Sequence, residues 1–297
     1  MPFESLVGNQ AAFDRLRALL TGGRPGHAYV FSGLEGLGKK AAALELVQAL
    51  GARETLVSVP EDKHEIGIAQ VQEIIRELAL SSDRRRVVVF DDAHRMSDEA
   101  MNALLKTLEE PPPGTTIVLV THVPDRMLGT IRSRCQGVLF FPLSEEALAA
   151  HAARQFMLDR ERARVLALLS GGSPGAAARL APDLDGTIAR ARDLQARALS
   201  GEVNALIEAL GKIRDTEEAR AAARRDLGLL AQAFREALRI RAGAAPPCLC
   251  SPAFLEHAAR LDPDDLVDRI ESLLEHARLI DLNANVALCV EDALLRV

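Results

Sequence analysis

Between residues 33 and 40 the chain reads Gly33-Leu-Glu-Gly-Leu-Gly-Lys-Lys40. Glycines so spaced let backbone N–H groups curl around an anion, and the helix opened by the next residues adds the positive end of its dipole. Gly33, Gly36 and Gly38 would shape such a loop. Lys39 stands where a phosphate-loop lysine reaches the β- and γ-phosphates of a nucleotide. The following position breaks the pattern. A hydrolysing loop carries Ser or Thr there, because the hydroxyl ligates Mg²⁺. Lys40 cannot ligate a cation and brings a second positive charge instead. Two readings stay open: a loop kept as a fold element with its active chemistry lost, or one that retains some nucleotide binding. Competent hydrolysis fits neither.

A second group of candidates lies in Val87-Val-Val-Phe-Asp-Asp-Ala-His94. A carboxylate at the end of a central strand can hold Mg²⁺, and its neighbour can activate the attacking water. Asp91 has the place for the first role and Asp92 for the second, although Glu, one methylene longer, is the usual reach. His94 reads as a capping or packing residue. The cysteines are Cys135, Cys248, Cys250 and Cys289, with no C-x2-C pair among them. That spacing excludes a closed zinc site, and in a reducing compartment all four would be free thiols. No resident metal is expected.

The elements around these residues follow from periodicity. Ala28-Tyr-Val-Phe31, Thr55-Leu-Val-Ser-Val59, Arg86 to Asp91, Thr116-Ile-Val-Leu-Val-Thr121 and Gly137-Val-Leu-Phe-Phe141 read as strands. Continuous apolar runs of this kind suit strands covered on both faces. Between them lie helical patterns: Lys39 to Leu50; Ile68, Val71, Ile75 and Leu78 on one face; and Met101, Leu104, Leu105 and Leu108 at i, i+3, i+4 and i+7. Ser97 can cap the last of these, and Pro111-Pro112-Pro113 ends it. Strands separated by helices predict an α/β domain with a doubly wound parallel sheet over residues 1–143. Short helices around the turn Gly171-Gly-Ser-Pro-Gly175 predict a small helical domain over 144–182. Long Ala/Leu/Arg helices without strand candidates, such as Asp226 to Arg241, predict an all-α domain over 183–297.

Composition sets the outer bounds. With 297 residues, 48% hydrophobic and 26% charged, the chain should hold about two or three domains with real cores. No apolar run approaches the ~20 residues of a membrane span, and the opening residues lack the layout of a signal peptide, so a soluble, cytoplasmic protein is expected. The net charge of −6 excludes a strong overall basic field. Any nucleic-acid contact must then come from a local patch or from partner subunits. Arg84-Arg85-Arg86 is one such patch, although its place just before a buried strand favours a solvated turn. Lys106 is another residue whose charge could face DNA.

Asn102-Ala-Leu-Leu-Lys-Thr-Leu-Glu-Glu-Pro-Pro112, the strand ending in Thr121, and Ile131-Arg-Ser-Arg-Cys135 together resemble the AAA+ clamp-loader subunits of bacterial DNA replication. Phe3-Glu-Ser-Leu-Val-Gly8 and His27-Ala-Tyr-Val-Phe31 fit the same family. The matching motifs extend over about the first 180 residues. The helical remainder is compatible with the family's oligomerising collar. Within the family the likeness is to subunits that keep Ser-Arg-Cys while their phosphate loop is degraded. Many relatives also carry a four-cysteine zinc module between the phosphate-loop helix and the acidic motif. Residues 51–86 contain no cysteine, so no zinc is carried over.

The resemblance implies that Arg134 is an arginine finger acting in trans, with Arg132 the weaker candidate. A guanidinium stays protonated and presents several donors to phosphate oxygens. From the tripeptide alone, a surface salt bridge is the plainer reading of Arg134. The resemblance further implies a non-motor member of a hetero-oligomeric ring in the DNA polymerase III holoenzyme. Its partners would be the motor subunits, the delta subunit, the sliding clamp and primed DNA. ATP and Mg²⁺ would be bound mainly by the neighbouring subunits, with no ATPase of its own. The alternatives are an ATP-hydrolysing motor subunit of the same loader and, from another class, a small-molecule P-loop kinase.

Overall fold

A computed structural model describes residues 2–22, 26–60, 65–80, 84–199, 216–244, 246–282 and 284–295. They form two compact units, Met1–His151 with Gly171–Ala178, and Ala152–Ser170 with Arg179–Val297.

The first unit is built on five parallel strands: β1 Ala28–Ser32, β2 Glu54–Ser58, β3 Arg86–Phe90, β4 Thr115–Thr121 and β5 Gln136–Leu139, in the order β2-β3-β4-β1-β5. Helices α1 Gln10–Thr21, α2 Lys39–Ala49, α3 Ile68–Ala79, α4 Asp98–Glu109 and α5 Gly129–Arg132 provide the connections. Alternation along the strands divides the core in two. Val87, Val89, Val118 and Val120 join Phe13, Phe31, Leu46 and Phe140 on one face. Val88, Phe90, Ile117 and Leu119 join Val71, Leu78, Met101 and Leu104 on the other. The three central strands are buried along their whole length, whereas the edge strands β2 and β5 are partly exposed. The α/β fold expected from the sequence is the one observed. Strand limits move by one or two residues, and on α3 Ile74 replaces Ile75 as the buried residue of its turn.

Of the basic patch, Arg84 and Arg85 are exposed, as expected of a solvated turn, whereas Arg86 is not. Arg86 is buried in β3, and its guanidinium donates to the carbonyls of Glu77 (3.2 Å), Leu78 (2.8 Å) and Leu80 (3.0 Å). Arg85 donates to the carbonyl of Leu50 at 3.2 Å. The last carbonyls of a helix lack intrahelical partners and carry partial negative charge, so each cation closes a helix C-terminus. These side chains hold α3 and α2 in the fold.

Between the two portions of the second unit the chain returns to the first. The Leu143 N–H donates to the Gly172 carbonyl at 2.9 Å, which ties the turn to the end of the sheet. In this division residues 144–151 and 171–178 fall in the first unit and the rest of 144–182 in the second.

The described second unit is all helix: parts of α6 Glu145–Gln155 and α8 Pro174–Leu180, with α7 Arg160–Leu169, α9 Leu184–Leu199, α10 Glu217–Arg241, α11 Pro252–Ala258, α12 Pro263–Asp281 and α13 Val286–Leu295. Two buried acids on α10 are each compensated. Asp226 accepts from Arg190 of α9 at 2.6 Å. Glu236 accepts from the N–H groups of Cys248, Leu249 and Cys250 at 2.8, 3.0 and 2.7 Å, and from the Cys248 thiol at 3.0 Å. Burial disfavours the Glu236 charge, but these donors outweigh it and hold the carboxyl below its usual pKa. A carboxylate depressed in the folded state adds stability above the usual carboxylate value of about 4.3, and that contribution is lost as pH falls through the folded value. Denaturant unfolding from pH 7 to pH 3 should therefore show a shallower loss of stability in Glu236→Gln than in the wild type.

Candidate functional site

The turn from β1 into α2 fixes the loop at 33–40. Gly33, Gly36 and Gly38 have φ of +144°, +74° and +82°, a region side chains rarely adopt. A Cβ on Gly33 would also strike the Phe140 carbonyl. Lys39 opens α2 and is buried; its ammonium donates to the loop's own carbonyls at Gly33 (2.7 Å) and Leu34 (2.6 Å). Burial lowers its pKa, opposed by the charges of Asp92, Glu35 and Asp91. The other side of the loop is covered by the turn at 171–178. The Gly175 N–H donates to the Gly36 carbonyl at 2.9 Å, and the Ser173 hydroxyl donates to the Glu35 carbonyl at 3.0 Å.

The neighbouring residue decides the chemistry. Lys40 reaches the end of β3 and places its ammonium 2.9 Å from Asp91 Oδ2. The carboxylate expected to hold Mg²⁺ thus holds an organic cation, and the hydroxyl that would share the metal is replaced by the same side chain. This donor set does not fit Mg²⁺, which requires oxygen ligands and near-octahedral geometry.

Asp92 has a left-handed backbone (φ +51°) and turns away from this pair. Its Oδ1 lies 3.5 Å from Nδ1 of His122, the residue after β4. The His122 ring meets that of His94 edge-on, with centroids 4.2 Å apart. His94 lies in the 3-10 turn Ala93–Arg95 and is buried, and its Nδ1 has no hydrogen-bond partner. Burial, and after it the adjacent His122, brings its pKa down to about 4, so it is neutral at physiological pH. The sequence reading of His94 as packing accounts for its ring and not for its unpaired nitrogen. His122 was not singled out, because a histidine after a strand carries no pattern of its own.

Arg134 lies beyond α5, on the surface. Its Nε donates to Glu109 Oε1 at 2.7 Å, Nη1 donates to the Thr130 carbonyl at 2.9 Å, and Nη2 also contacts Glu109. Arg132 pairs with Asp125 at 3.1 Å. Cys135 between them and β5 is a protonated thiol, its pKa pushed up to about 12 by burial. All four cysteines are free. Among the described residues no helix is long and apolar enough to cross a membrane.

The strand order and the loop between β1 and α2 define a P-loop protein of the AAA+ class. The fold is shared with the Thermotoga maritima RuvB Holliday junction branch migration motor, at a TM-score of 0.50 and 18% identity, over 91% of this chain and 88% of that one. A family model described as DNA polymerase III, delta subunit, matches residues 51–144. The chain is 31% identical to DNA polymerase III subunit delta' of Escherichia coli K12 over 67% of its own length and 68% of the relative's. It is also 30% identical to subunit tau of Bacillus subtilis 168 over 70% of its own length, spanning 40% of that longer protein. The chain belongs to the delta' and gamma/tau family of DNA polymerase III clamp-loader subunits.

The cover over the loop leaves no room for a side chain at Gly175, where a Cβ would come within 2.7 Å of the Gly36 Cα. Gly175→Ala should cost about 1–3 kcal/mol by forced separation of loop and turn. Urea unfolding measures the loss, and limited proteolysis should cut the 171–178 turn faster in the variant.

Proposed function

We propose that this chain is a non-motor subunit of the replicative clamp loader, a fixed ring member that completes a neighbour's ATP site with Arg134. The observation that supports this most directly is the Lys40–Asp91 ion pair at 2.9 Å. A site whose metal carboxylate is neutralised by its own lysine cannot assemble the Mg²⁺-bridged triphosphate that phosphoryl transfer requires. ATP and Mg²⁺ would then be bound by neighbouring motor subunits. The wider assembly would include the delta subunit, the sliding clamp and primed DNA. The segment 144–182 would correspond to the family's lid domain and 183–297 to its collar.

Arg134 suits its role because little holds it back. Its side chain is 35% exposed and that of Glu109 49%. An ion pair so open to water is worth about 0–1 kcal/mol. Exchanging one carboxylate for the oxygens of a neighbour's γ-phosphate therefore costs little. The gain is large: such fingers accelerate phosphoryl transfer by about 10³–10⁵, or roughly 4–7 kcal/mol of barrier. Arg134→Lys keeps the charge and loses the planar fork. In a reconstituted loader stimulated by clamp and primed DNA, Arg134→Lys and Arg134→Ala should both depress ATP turnover while every subunit still co-elutes. Turnover equal to wild type would remove the finger.

The match to tau supports a second reading, a motor subunit that hydrolyses ATP itself. Calorimetric titration of the isolated chain with ATP separates the two. The non-motor reading expects no Mg²⁺-dependent affinity in the wild type and a measurable gain in Lys40→Thr, which frees Asp91 and supplies a hydroxyl. Brisk Mg²⁺-dependent hydrolysis by the wild-type chain would establish the motor reading.

A further inference from the structure

Asp92, His94 and His122 each offer a ligand atom, and these atoms all lie within 4.8 Å of one another. They stand at the C-terminal edge of the sheet, where the adjacent strands β3 and β4 end, beside the degraded phosphate loop. We propose that these three side chains form a binding site for a divalent transition-metal ion, distinct in donors and position from the Mg²⁺ position that Lys40 has cancelled.

The donor set carries the chemistry. Two imidazoles and one carboxylate suit borderline ions such as Zn²⁺, Co²⁺ or Fe²⁺ and disfavour Mg²⁺, which prefers oxygen. Bonds of about 2.0–2.1 Å in a tetrahedral site put ligand atoms roughly 3.3 Å apart. The Asp92–His122 separation of 3.5 Å already matches that value. The other ligand atoms lie within 4.8 Å, so side-chain rotation has to bring them in when the ion binds. His94 supplies the independent sign of a missing partner. It is only 6% exposed, and a buried ring nitrogen without a hydrogen bond is costly unless something accepts its lone pair or proton. His122 and Asp92, both partly exposed, give the ion an entry path and leave room for water as a fourth ligand. The cationic Arg95 and Arg126 stand nearby and oppose any additional positive charge, so the carboxylate of Asp92 is needed to offset the ion. Once bound, the ion would cross-link the turn after β3 to the turn after β4 and stiffen the edge of the sheet next to the loop.

The test uses the full-length chain, free of affinity tag and stripped of metal. Titration with Co²⁺ should give one equivalent with visible ligand-field bands, displaced by Zn²⁺ and unaffected by a large excess of Mg²⁺. His122→Ala and Asp92→Asn should each weaken Zn²⁺ binding tenfold or more and abolish the Zn²⁺-induced rise in melting temperature. Their circular dichroism should match wild type. X-ray absorption of the Zn²⁺-loaded wild type needs no variant, and it should show two imidazole ligands and no sulfur. Absence of stoichiometric binding, a sulfur ligand, or unchanged affinity in folded His122→Ala and Asp92→Asn would overturn the assignment.

Discussion

The Lys40 ammonium and the Asp91 carboxylate, 2.9 Å apart, join the first turn of α2 to the end of β3. The condition it sets at the loop is that a charged group is met from within the chain. Without the lysine, Asp91 would face an exposed anionic edge that asks for a metal. With it, the charge is met from within the chain. Both partners retain access to water, so the pair adds little to overall stability. Its consequence is electrostatic: the Asp91 carboxylate is met by a cation of the same chain.

The loop's remaining interactions agree with that condition. Lys39, the residue that would reach toward phosphates, spends two of its three donors on the carbonyls of Gly33 and Leu34. Ser173 and Gly175 bond the carbonyls of Glu35 and Gly36 from the other side. The carbonyls of residues 33–36 are thus met from within the chain. Arg134, by contrast, is held only by exposed groups, Glu109 and the Thr130 carbonyl. Bonded carbonyls in the loop and a loosely held cation at the surface are the two features on which the proposed role rests.

Much of this was legible in the sequence, for identifiable reasons. Val87-Val-Val-Phe90 and Thr116-Ile-Val-Leu-Val-Thr121 read as strands because both faces are buried, so no polar alternation obscures them. The α/β class followed from their spacing. Gly33, Gly36, Gly38, Lys39 and Lys40 stood out because the loop is written in consecutive residues, and Asp91 because it follows an apolar strand run. What they do to each other did not. The sequence shows that Lys40 removes a hydroxyl, but only the fold shows that its ammonium reaches Asp91. Arg86 was misread because a run of charge ordinarily marks a solvated face, whereas the fold brings its guanidinium to the carbonyls that end α3. His94 and His122 were hidden for the same reason: their proximity comes from the pairing of β3 with β4, and no local spacing encodes it.

The return of Gly171–Ala178 to the first unit has a consequence for how the chain can be divided. A fragment ending at residue 151 would contain every strand and every glycine of the loop, yet it would lack the strip of backbone that covers Glu35 and Gly36. A fragment beginning at residue 152 would carry that strip with nothing to lay it on. Neither compact body is an uninterrupted length of polypeptide. On the ribosome, the first body therefore stays incomplete until residues 152–170 of the second have been synthesised.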